Sequence, residues 1–527
     1  MNNKSDTANK QIARAAGVIM LAFVLSNIVG LVRQILVSRV FGTNQSLDAF
    51  YAAATFPDLL FNLLAGGALG SAFIPTFTGF LANNDRKNAW KLASAITNLM
   101  ILALSLVSIL AAFLAPTLVS KVIFLFRPDL DPALKNLTIE LLRIILIAPT
   151  IFGVSGLVMG ILNTHQKFWM PALAPVFNWI GWILGLFFLV PRMGIQGLAW
   201  GYVLGAILHL LIQLPGLLQL EEIHFDFSFG INNPAVREVG RLMAPRLLGV
   251  AAVQINFVIN AMIASGQGEG SLSAINVARM VMTMPLFVIA QAIATAALPT
   301  FSAQVASGKQ DEMSSSLAAT LRGVLLLAVP ASVGLIMLRQ PVITMLFQRG
   351  QFDSKSTEMV VWALLWYTAG LVGHAVVEIL SRAFYALHDT KTPVTIGIIA
   401  MGLNAVFSFG FSMLFLNIGW MPHGGLALAN SFATALEAVL LLIFMSKRVG
   451  GIHGKEIMDG LLKFSFASAG MGLSIYIWLQ ITSNQNSWLA VLGGICIGGL
   501  VYGILLLMMK VSELKLVITS IKSRLKR

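Results

Sequence analysis

Residues Ile12–Phe41 read IARAAGVIMLAFVLSNIVGLVRQILVSRVF, and this stretch decides the fold. A helix needs about 20 apolar residues to cross the hydrocarbon of a bilayer, and this segment supplies them. It also carries Arg33 among its apolar residues. A charge inside a membrane span costs about 3 kcal/mol or more unless it is paired or hydrated, so Arg33 is a functional candidate.

The rest of the chain repeats this apolar pattern. It has 527 residues, of which 57% are hydrophobic and 11% charged, too few polar residues to cover a water-soluble globule. We therefore predict an all-α integral membrane protein with about fourteen transmembrane helices. The predicted spans are 12–41, 47–80, 90–120, 138–163, 168–190, 195–219, 236–265, 272–306, 314–347, 357–386, 392–417, 424–446, 458–481 and 488–509.

The net charge of +13 has a topological explanation. Most of the basic residues fall on the side of the predicted membrane that holds both termini, including the tail Lys510–Arg527. By the positive-inside rule both termini are cytoplasmic, so the charge does not indicate nucleic-acid binding. The first span has no small-residue cleavage site after a short apolar region, and we expect it to be retained. The single cysteine, Cys496, excludes a disulfide framework.

Similar sequences recur at one offset. Ser46-Leu-Asp-Ala resembles Ser271-Leu-Ser-Ala, Pro75-Thr-Phe resembles Pro299-Thr-Phe, and His165…Pro171 resembles His388…Pro393, at separations of 222 to 225. Gly197-Leu-Ala recurs at Gly425. We predict two six-helix lobes related by a parallel pseudo-two-fold repeat. The predicted divisions are an N-lobe of residues 1–220, a linker of residues 221–235, a C-lobe of residues 236–450, and residues 451–527 with two extra helices and a basic tail.

The linker, Glu221-Glu-Ile-His-Phe-Asp-Phe-Ser-Phe-Gly-Ile-Asn-Asn-Pro234, is polar and aromatic. Such a composition is compatible with a helix that lies on the membrane surface.

No metal-ligand cluster, phosphate loop or nucleophile elbow is present in the sequence, so an enzyme is not expected. The candidates are polar residues within spans. In the first span Ser26, Gly30 and Arg33 share one face at helical spacing, and Asn27 lies beside them. An alternative is that Arg33 extends toward the outer interface together with Arg39.

Arg279 occupies the eighth span, six residues before Pro285, and Pro57 lies in the second span. Proline bends a helix and frees a carbonyl, which favours a gated cavity beside the arginine. Asp48, at the outer start of the second span, is either a helix N-cap or part of a gate. Arg246 is a third candidate cation.

The tenth span places His374, Glu378 and Arg382 on one stripe, where they can neutralise one another. Asn404, Ser408 and Glu378 are candidates for a coupling ion, as are Asn178 and Glu437, although isolated polar residues often only bind neighbouring helices. No cofactor is expected, and sodium, protons or the membrane potential could supply the energy.

Arginine stays charged when poorly solvated, and its forked donors match phosphate oxygens in pairs. Arginines in opposing lobes therefore favour an anionic, pyrophosphate-bearing substrate, with rocking of the lobes changing its access.

Several motifs resemble one family. They are Gly30-Leu-Val-Arg33, Phe41-Gly42, Asp48-Ala-Phe50, Phe56-Pro57, Ala72-Phe-Ile-Pro75, Met243-Ala-Pro-Arg-Leu-Leu-Gly249, Leu346-Phe-Gln-Arg-Gly-Gln-Phe352 and Phe384-Tyr-Ala…Asp389-Thr-Lys-Thr-Pro393. The chain is identified by them as similar to the MurJ (MviN) family of lipid II flippases over nearly its whole length. The resemblance implies an exporter fold of fourteen helices and transport of undecaprenyl-pyrophosphate-linked peptidoglycan precursor from the inner to the outer leaflet of the bacterial inner membrane. It also implies that the two last helices line a groove for the polyprenyl tail, and it assigns motif roles to Arg33, Asp48 and Arg279.

The chain departs from the family pattern at several charged positions. Ser26-Asn27 replaces a Ser-Arg pair, Gln34 replaces an acid, and Phe61-Asn62 and Gly66-Gly67 replace an Arg-Arg and a Glu-Gly pair. Two alternatives therefore stay open, a flippase for another polyprenyl-linked glycan and a cation-coupled multidrug exporter of the same superfamily. A membrane scaffold without transport is a third. We expect a monomer that binds membrane lipids.

Overall fold

Helices make up nearly all of the structure. The computed structural model describes residues 2–64, 68–220, 223–483, 485–511 and 513, and within them it describes no side chains at 2–16, 18, 64, 68–71, 245, 246, 248, 249 and 252. No β-strand occurs in these ranges. The chain divides into two compact units, residues 1–272 and 273–527, with the division in the first turn of a helix.

The first unit contains twelve α-helices in its described residues. They are α1 (Asn2–Phe41), α2 (Gln45–Leu64), α3 (Ala68–Ala82), α4 (Arg86–Phe113), α5 (Ala115–Leu118), α6 (Pro132–Ile145), α7 (Ala148–Thr164), α8 (Trp169–Leu184), α9 (Val190–Met193), α10 (Ile195–Leu211), α11 (Leu214–Leu218) and α12 (Pro234–Ser265). Two π-helical segments, Val119–Ile123 and Gly185–Leu189, follow α5 and α8.

The second unit holds the remaining described helices. They are α13 (Ser271–Leu286), α14 (Ala292–Ala306), α15 (Gln310–Phe347), α16 (Ser354–Ala369), α17 (Leu371–Ala386), α18 (Lys391–Asn417), α19 (His423–Arg448), α20 (Gly454–Ile481) and α21 (Ser487–Met508). A π-helical segment, Phe287–Gln291, joins α13 to α14 just after Pro285.

Eleven helical stretches in the described residues are long and apolar enough to cross a membrane, or twelve if the bent pair α16 and α17 is counted as one span. Four of these stretches join neighbouring elements: α6 with α7, α8 with α9, α10 with α11, and α13 with α14. The all-helical membrane fold is thus confirmed, whereas the number fourteen is not. Two other predicted spans, 47–80 and 236–265, coincide with α2 plus α3 and with α12. Within the residues whose side chains the structure describes, these two spans contribute the apolar helical stretches Ala72–Ala82 and Val253–Ser265.

The linker prediction of a surface helix is wrong. Residues 223–230 form no helix, and α12 begins only at Pro234. The physical reason is in the sequence: Ile223, Phe225, Phe227 and Phe229 alternate with polar residues at a period of two, which suits an extended chain and would spread these side chains around a helix.

Aspartates begin two helices outside the spans. Asp353 accepts the N–H of Ser356 at 2.8 Å before α16, and Asp389 accepts the N–H of Thr392 at 3.0 Å before α18. These backbone hydrogen bonds favour the charged carboxylate, so they hold the pKa of both aspartates below the usual value.

Glycines allow pairs of helices to touch at their backbones. A Cβ on Gly181 of α8 would lie 2.3 Å from the Cα of Gly205 in α10, and one on Gly185 would lie 2.3 Å from the Cα of Gly201. Gly197 and Gly425, matched by the sequence repeat, are each the third residue of a helix. Each packs against the backbone of the preceding helical segment, at Leu189 and at Phe411. This shared role supports the predicted repeat.

The contact between α8 and α10 gives a stability prediction. Gly181→Ala should destabilise the first unit, because backbone atoms at 2.3 Å cannot move aside as a flexible side chain could, and overpacking costs about 1–3 kcal/mol. The measurement is the thermal unfolding midpoint in detergent. Gly402→Ala is the control, since a Cβ at Gly402 in α18 meets nothing within 4 Å; equal midpoints for the two variants would contradict the proposed packing.

Candidate anion-binding site

Arg33 lies between two tryptophans. Its Cζ atom is 4.5 Å from the ring centroid of Trp179 and 4.6 Å from that of Trp182. The two indoles come from successive turns of α8, which packs along α1. Gly30, one turn before Arg33, leaves room for this arrangement, because a Cβ there would come 3.3 Å from Nε1 of Trp179. Cation–π attraction therefore replaces part of the lost hydration of the guanidinium.

The guanidinium of Arg33 has hydrogen-bond donors to spare. Arg33 is only 9% exposed, and its buried Nε has no hydrogen-bond partner among the described residues. No described residue accepts a hydrogen bond from any nitrogen of this side chain. An unsatisfied buried donor costs about 1–3 kcal/mol, and more when it is charged. An oxyanion placed against the guanidinium would recover that cost.

A hydrogen-bonded tyrosine–aspartate pair, Tyr202 and Asp58, lies next to Trp182. The Tyr202 ring packs against Trp182 at 5.1 Å between centroids, and Tyr202 Oη donates to Asp58 Oδ1 at 2.5 Å. Asp58 is exposed and is close enough to act on Arg33 electrostatically. The positive charge of Arg33 therefore has a negative group nearby but no bonded carboxylate.

Gln34 occupies the position where the resembled family has an acid. Its amide is buried and exchanges hydrogen bonds with Tyr51 Oη, donating at 2.9 Å and accepting at 3.2 Å. A neutral partner therefore satisfies Gln34, and the negative charge expected next to Arg33 is absent at this position.

The other residues predicted in α1 lie apart from the clamp formed by Trp179 and Trp182. Asn27 is exposed, and its Nδ2 donates to the carbonyl of Phe23 at 2.9 Å within the same helix. Ser26 is partly buried. Neither is hydrogen-bonded to Arg33, so the structure unites Gly30 and Arg33 but not Ser26 and Asn27.

Sequence reasoning missed four residues of this site: Trp179, Trp182, Tyr202 and Asp58. The spacing of two tryptophans by three residues within a predicted span was a usable signal, since such a pair lies on one helix face. Nothing in the sequence showed that this face meets Arg33.

In the second unit Arg279 is partly buried in α13. Its Nη2 donates to Asn276 Oδ1 at 3.2 Å, and Tyr367 of α16 lies within electrostatic range. Arg279 and Pro285 both lie in α13, ahead of the π-helical segment Phe287–Gln291. Pro57 lies inside α2. The side chain of Arg246 lies outside the described residues.

The polar stripe of α17 is split. Arg382 Nη2 pairs with Glu378 Oε1 at 2.8 Å, as the sequence predicted, but His374 Nε2 bonds instead to Asn430 Oδ1 at 3.0 Å. Asn404 and Ser408 are buried in α18, at 4% and 0% exposure. No group of three or more His, Cys, Asp or Glu side chains able to hold a metal ion occurs in the described part of the chain.

Asp48 does not cap α2. Asn44 does, because its Oδ1 accepts the N–H of Leu47 at 2.9 Å. Asp48 Oδ2 instead accepts the N–H of Gly270 at 2.7 Å. Gly270 has φ +83°, and a Cβ on it would come 2.4 Å from the carbonyl oxygen of Thr43. The loop after α12 is therefore fastened to the start of α2.

Neighbouring contacts strengthen this fastening. The N–H of Gln45 donates to Glu269 Oε1 at 3.3 Å, and Arg127 Nη1 donates to the carbonyl of Gln267 at 3.0 Å. The gate alternative for Asp48 stays a prediction.

Comparisons with known proteins bear on this arrangement. A family model described as "Lipid II flippase MurJ" matches residues 37–493. The "Lipid II flippase MurJ" of Burkholderia cenocepacia is 32% identical over 459 residues, covering 85% of this chain and 86% of that protein. The "Probable lipid II flippase MurJ" of Vibrio cholerae is 28% identical, with 92% of each covered.

Solved structures agree with these relatives. "Lipid II flippase MurJ, inward closed conformation" matches with a TM-score of 0.78 at 27% identity, covering 92% of this chain and 97% of that one. An inward-facing MATE family multidrug transporter of the MOP superfamily matches with a TM-score of 0.65 at 18% identity, covering 81% of this chain and 94% of that one, which shows a shared fold.

The loop contact at Asp48 can be tested directly. Asp48→Ala removes a charged acceptor, and a hydrogen bond to a charged group contributes about 1.5–3 kcal/mol. The amide of Gly270 should then exchange with deuterium at least tenfold faster in a mass-spectrometric experiment. Asp85→Ala, which removes the acceptor at the start of α4, is the control and should leave the exchange at Gly270 unchanged. Unaltered exchange in Asp48→Ala would show that the contact does not hold the loop.

Proposed function

The chain belongs to the MurJ family of lipid II flippases, and we propose that it moves lipid II, an undecaprenyl-pyrophosphate-linked peptidoglycan precursor, from the inner to the outer leaflet. Family membership makes it a multi-pass inner-membrane transporter with a lipid-linked substrate, not an enzyme. Its process is peptidoglycan synthesis.

One observation carries the assignment of the site. Arg33 is a buried cation, held by Trp179 and Trp182, with donors that no described residue accepts. A pyrophosphate offers paired oxygens that match the guanidinium fork, and its charge would compensate the burial. We assign Arg33 to binding the pyrophosphate of the substrate.

Arg279 is the corresponding candidate in the second unit. Its hydrogen bond to Asn276 positions the side chain. Pro285 and the π-helical segment directly after it give α13 a place to bend, which suits a helix that changes shape during alternating access. Arg246 remains a third proposed ligand.

We propose that both termini are cytoplasmic, because the basic residues are concentrated on their side of the membrane.

A coupling cation is the proposed energy source. Asn404 and Ser408, buried on one face of α18, are our proposed site for a coupling cation; Glu378 is less suited, because Arg382 already pairs with it. We propose that the chain acts as a monomer.

A second candidate is a flippase for another polyprenyl-linked glycan. The observation that favours it is the neutral Gln34, satisfied by Tyr51, beside Arg33, together with Phe61 and Asn62 where the family has arginines. The pyrophosphate would be the same, and only the sugar would differ. A cation-coupled drug exporter has no comparable support, because the likeness to the MATE structure shows the fold alone.

Complementation of a bacterium depleted of its lipid II flippase tests the function. The intact chain should restore growth, Arg33→Ala should abolish it, and Arg33→Lys should rescue only in part, because an ammonium cannot bind phosphate in a fork. Arg39→Ala is the matched control, as Arg39 is exposed on the same helix. A well-expressed intact chain that fails to restore wall synthesis rules out lipid II. Full activity of Arg33→Ala rules out the site.

The tryptophan clamp gives a separate prediction. Trp182→Ala should lower the transport rate in proteoliposomes several-fold, since a cation–π contact contributes about 0.5–2 kcal/mol, whereas Trp182→Phe should retain much of the rate. Trp169→Ala is the control, because Trp169 begins the same helix and is 50% exposed. If Trp182→Ala and Trp169→Ala have the same rate, Trp182 does not position Arg33.

A further inference from the structure

The segment Ile223–Phe229 is amphipathic with a period of two, and its hydrogen bonds at alternate residues are those of an extended chain. Its apolar residues Phe225, Phe227 and Phe229 are 52%, 85% and 42% exposed. The intervening residues His224, Asp226 and Ser228 are polar. In an extended chain successive side chains point to opposite faces, so the segment has a phenylalanine face and a polar face.

One edge of this segment is bonded to side chains of α4. Ser94 Oγ donates to the carbonyl of His224 at 3.3 Å and accepts the N–H of Asp226 at 3.1 Å. Asn98 Nδ2 donates to the carbonyls of Asp226 and Ser228 at 2.9 and 3.0 Å. Ser94 and Asn98 thus act as a substitute for a neighbouring strand.

The opposite edge is open. No described residue bonds to the backbone N–H or C=O groups of Phe225, Phe227 and Phe229. Open backbone groups are not tolerated in hydrocarbon but are readily satisfied by water and lipid headgroups. The segment must therefore lie where apolar and aqueous surroundings meet.

The position of the bonds along α4 gives the depth. Arg86, Lys87 and Lys91 mark the polar end of this helix. Ser94 and Asn98 follow Lys91 by three and seven residues, which is about 5 and 10 Å along a helix. This is the depth of the boundary between headgroups and acyl chains, where aromatic residues are favoured.

From these contacts we infer that residues 223–229 form an extended interfacial anchor, which lays its phenylalanine face into the boundary of the leaflet on the side of the basic end of α4. The orientation proposed above makes this the cytoplasmic leaflet. The occupant of the apolar face is lipid, and the polar face with His224, Asp226 and Ser228 is turned to water. The anchor is independent of the transported substrate.

Spin labels can test this inference, because the chain has only one native cysteine. In a Cys496→Ala background, labels at Phe225→Cys, Asp226→Cys, Phe227→Cys and Ser228→Cys are measured in lipid nanodiscs. For each label, the rate of collision with oxygen, which concentrates in lipid, is compared with the rate of collision with a water-soluble nickel chelate. Positions 225 and 227 should favour oxygen, and positions 226 and 228 should favour the chelate.

Two results would overturn the inference. Preference for the chelate at position 227 would place the phenylalanine face in water. Exclusion of both reagents there would show that protein, such as a partner strand on the open edge, covers it.

A second set of variants tests the role of α4. Asn98→Ala in the labelled chains should abolish the alternation between positions 227 and 228, since it removes two of the four bonds. Thr97→Ala is the matched control, because its hydroxyl bonds only to Ala93 of the same helix. Alternation that survives in Asn98→Ala would show that α4 does not hold the segment. The labels in the unaltered α4 background test the membrane contact whether or not Asn98→Ala folds.

Discussion

A permanent positive charge inside an apolar helix is the constraint on which the first unit depends. Arg33 cannot lose its proton, so its environment must stabilise the charge. The structure achieves this with two aromatic faces rather than a bonded carboxylate. An indole attracts a cation but does not occupy its N–H groups, so the charge is tolerated while the donors stay available. A tightly paired arginine could not combine these two properties.

That arrangement needs close helix packing. Trp182 contacts both Arg33 and Tyr202, and it lies on α8, which meets α10 at Gly181 and, through the π-helical segment that continues it, at Gly185. Larger residues at these glycines would separate α8 from α10 and remove the support behind Trp182. Gly30 of α1 likewise allows a close approach, because the absence of a side chain there lets α1 pack against Trp179. The glycines thus determine the geometry around Arg33.

The sequence predicted most of the fold because apolar length reports directly on the position of membrane helices. It was less informative where contacts between distant segments decide the outcome. Trp179 and Trp182 look like ordinary interfacial aromatics until α8 is placed beside α1. Asp48 fitted a helix cap as well as a gate, and only the contacts of Asn44 and Gly270 showed that it is not the cap. The linker error had a different cause: the composition of residues 221–234 suited a surface helix, but their period of two did not.

Asp48 contacts the main chain of Gly270 and not a side chain, and this has an evolutionary consequence. Every residue except proline offers the same N–H, so the donor itself places almost no demand on residue identity. The demand comes from the left-handed backbone and the contact with Thr43, which only glycine meets without strain. Covariation between positions 48 and 270 should therefore be weak even though their contact is direct, and methods that infer contacts from correlated substitutions would overlook it.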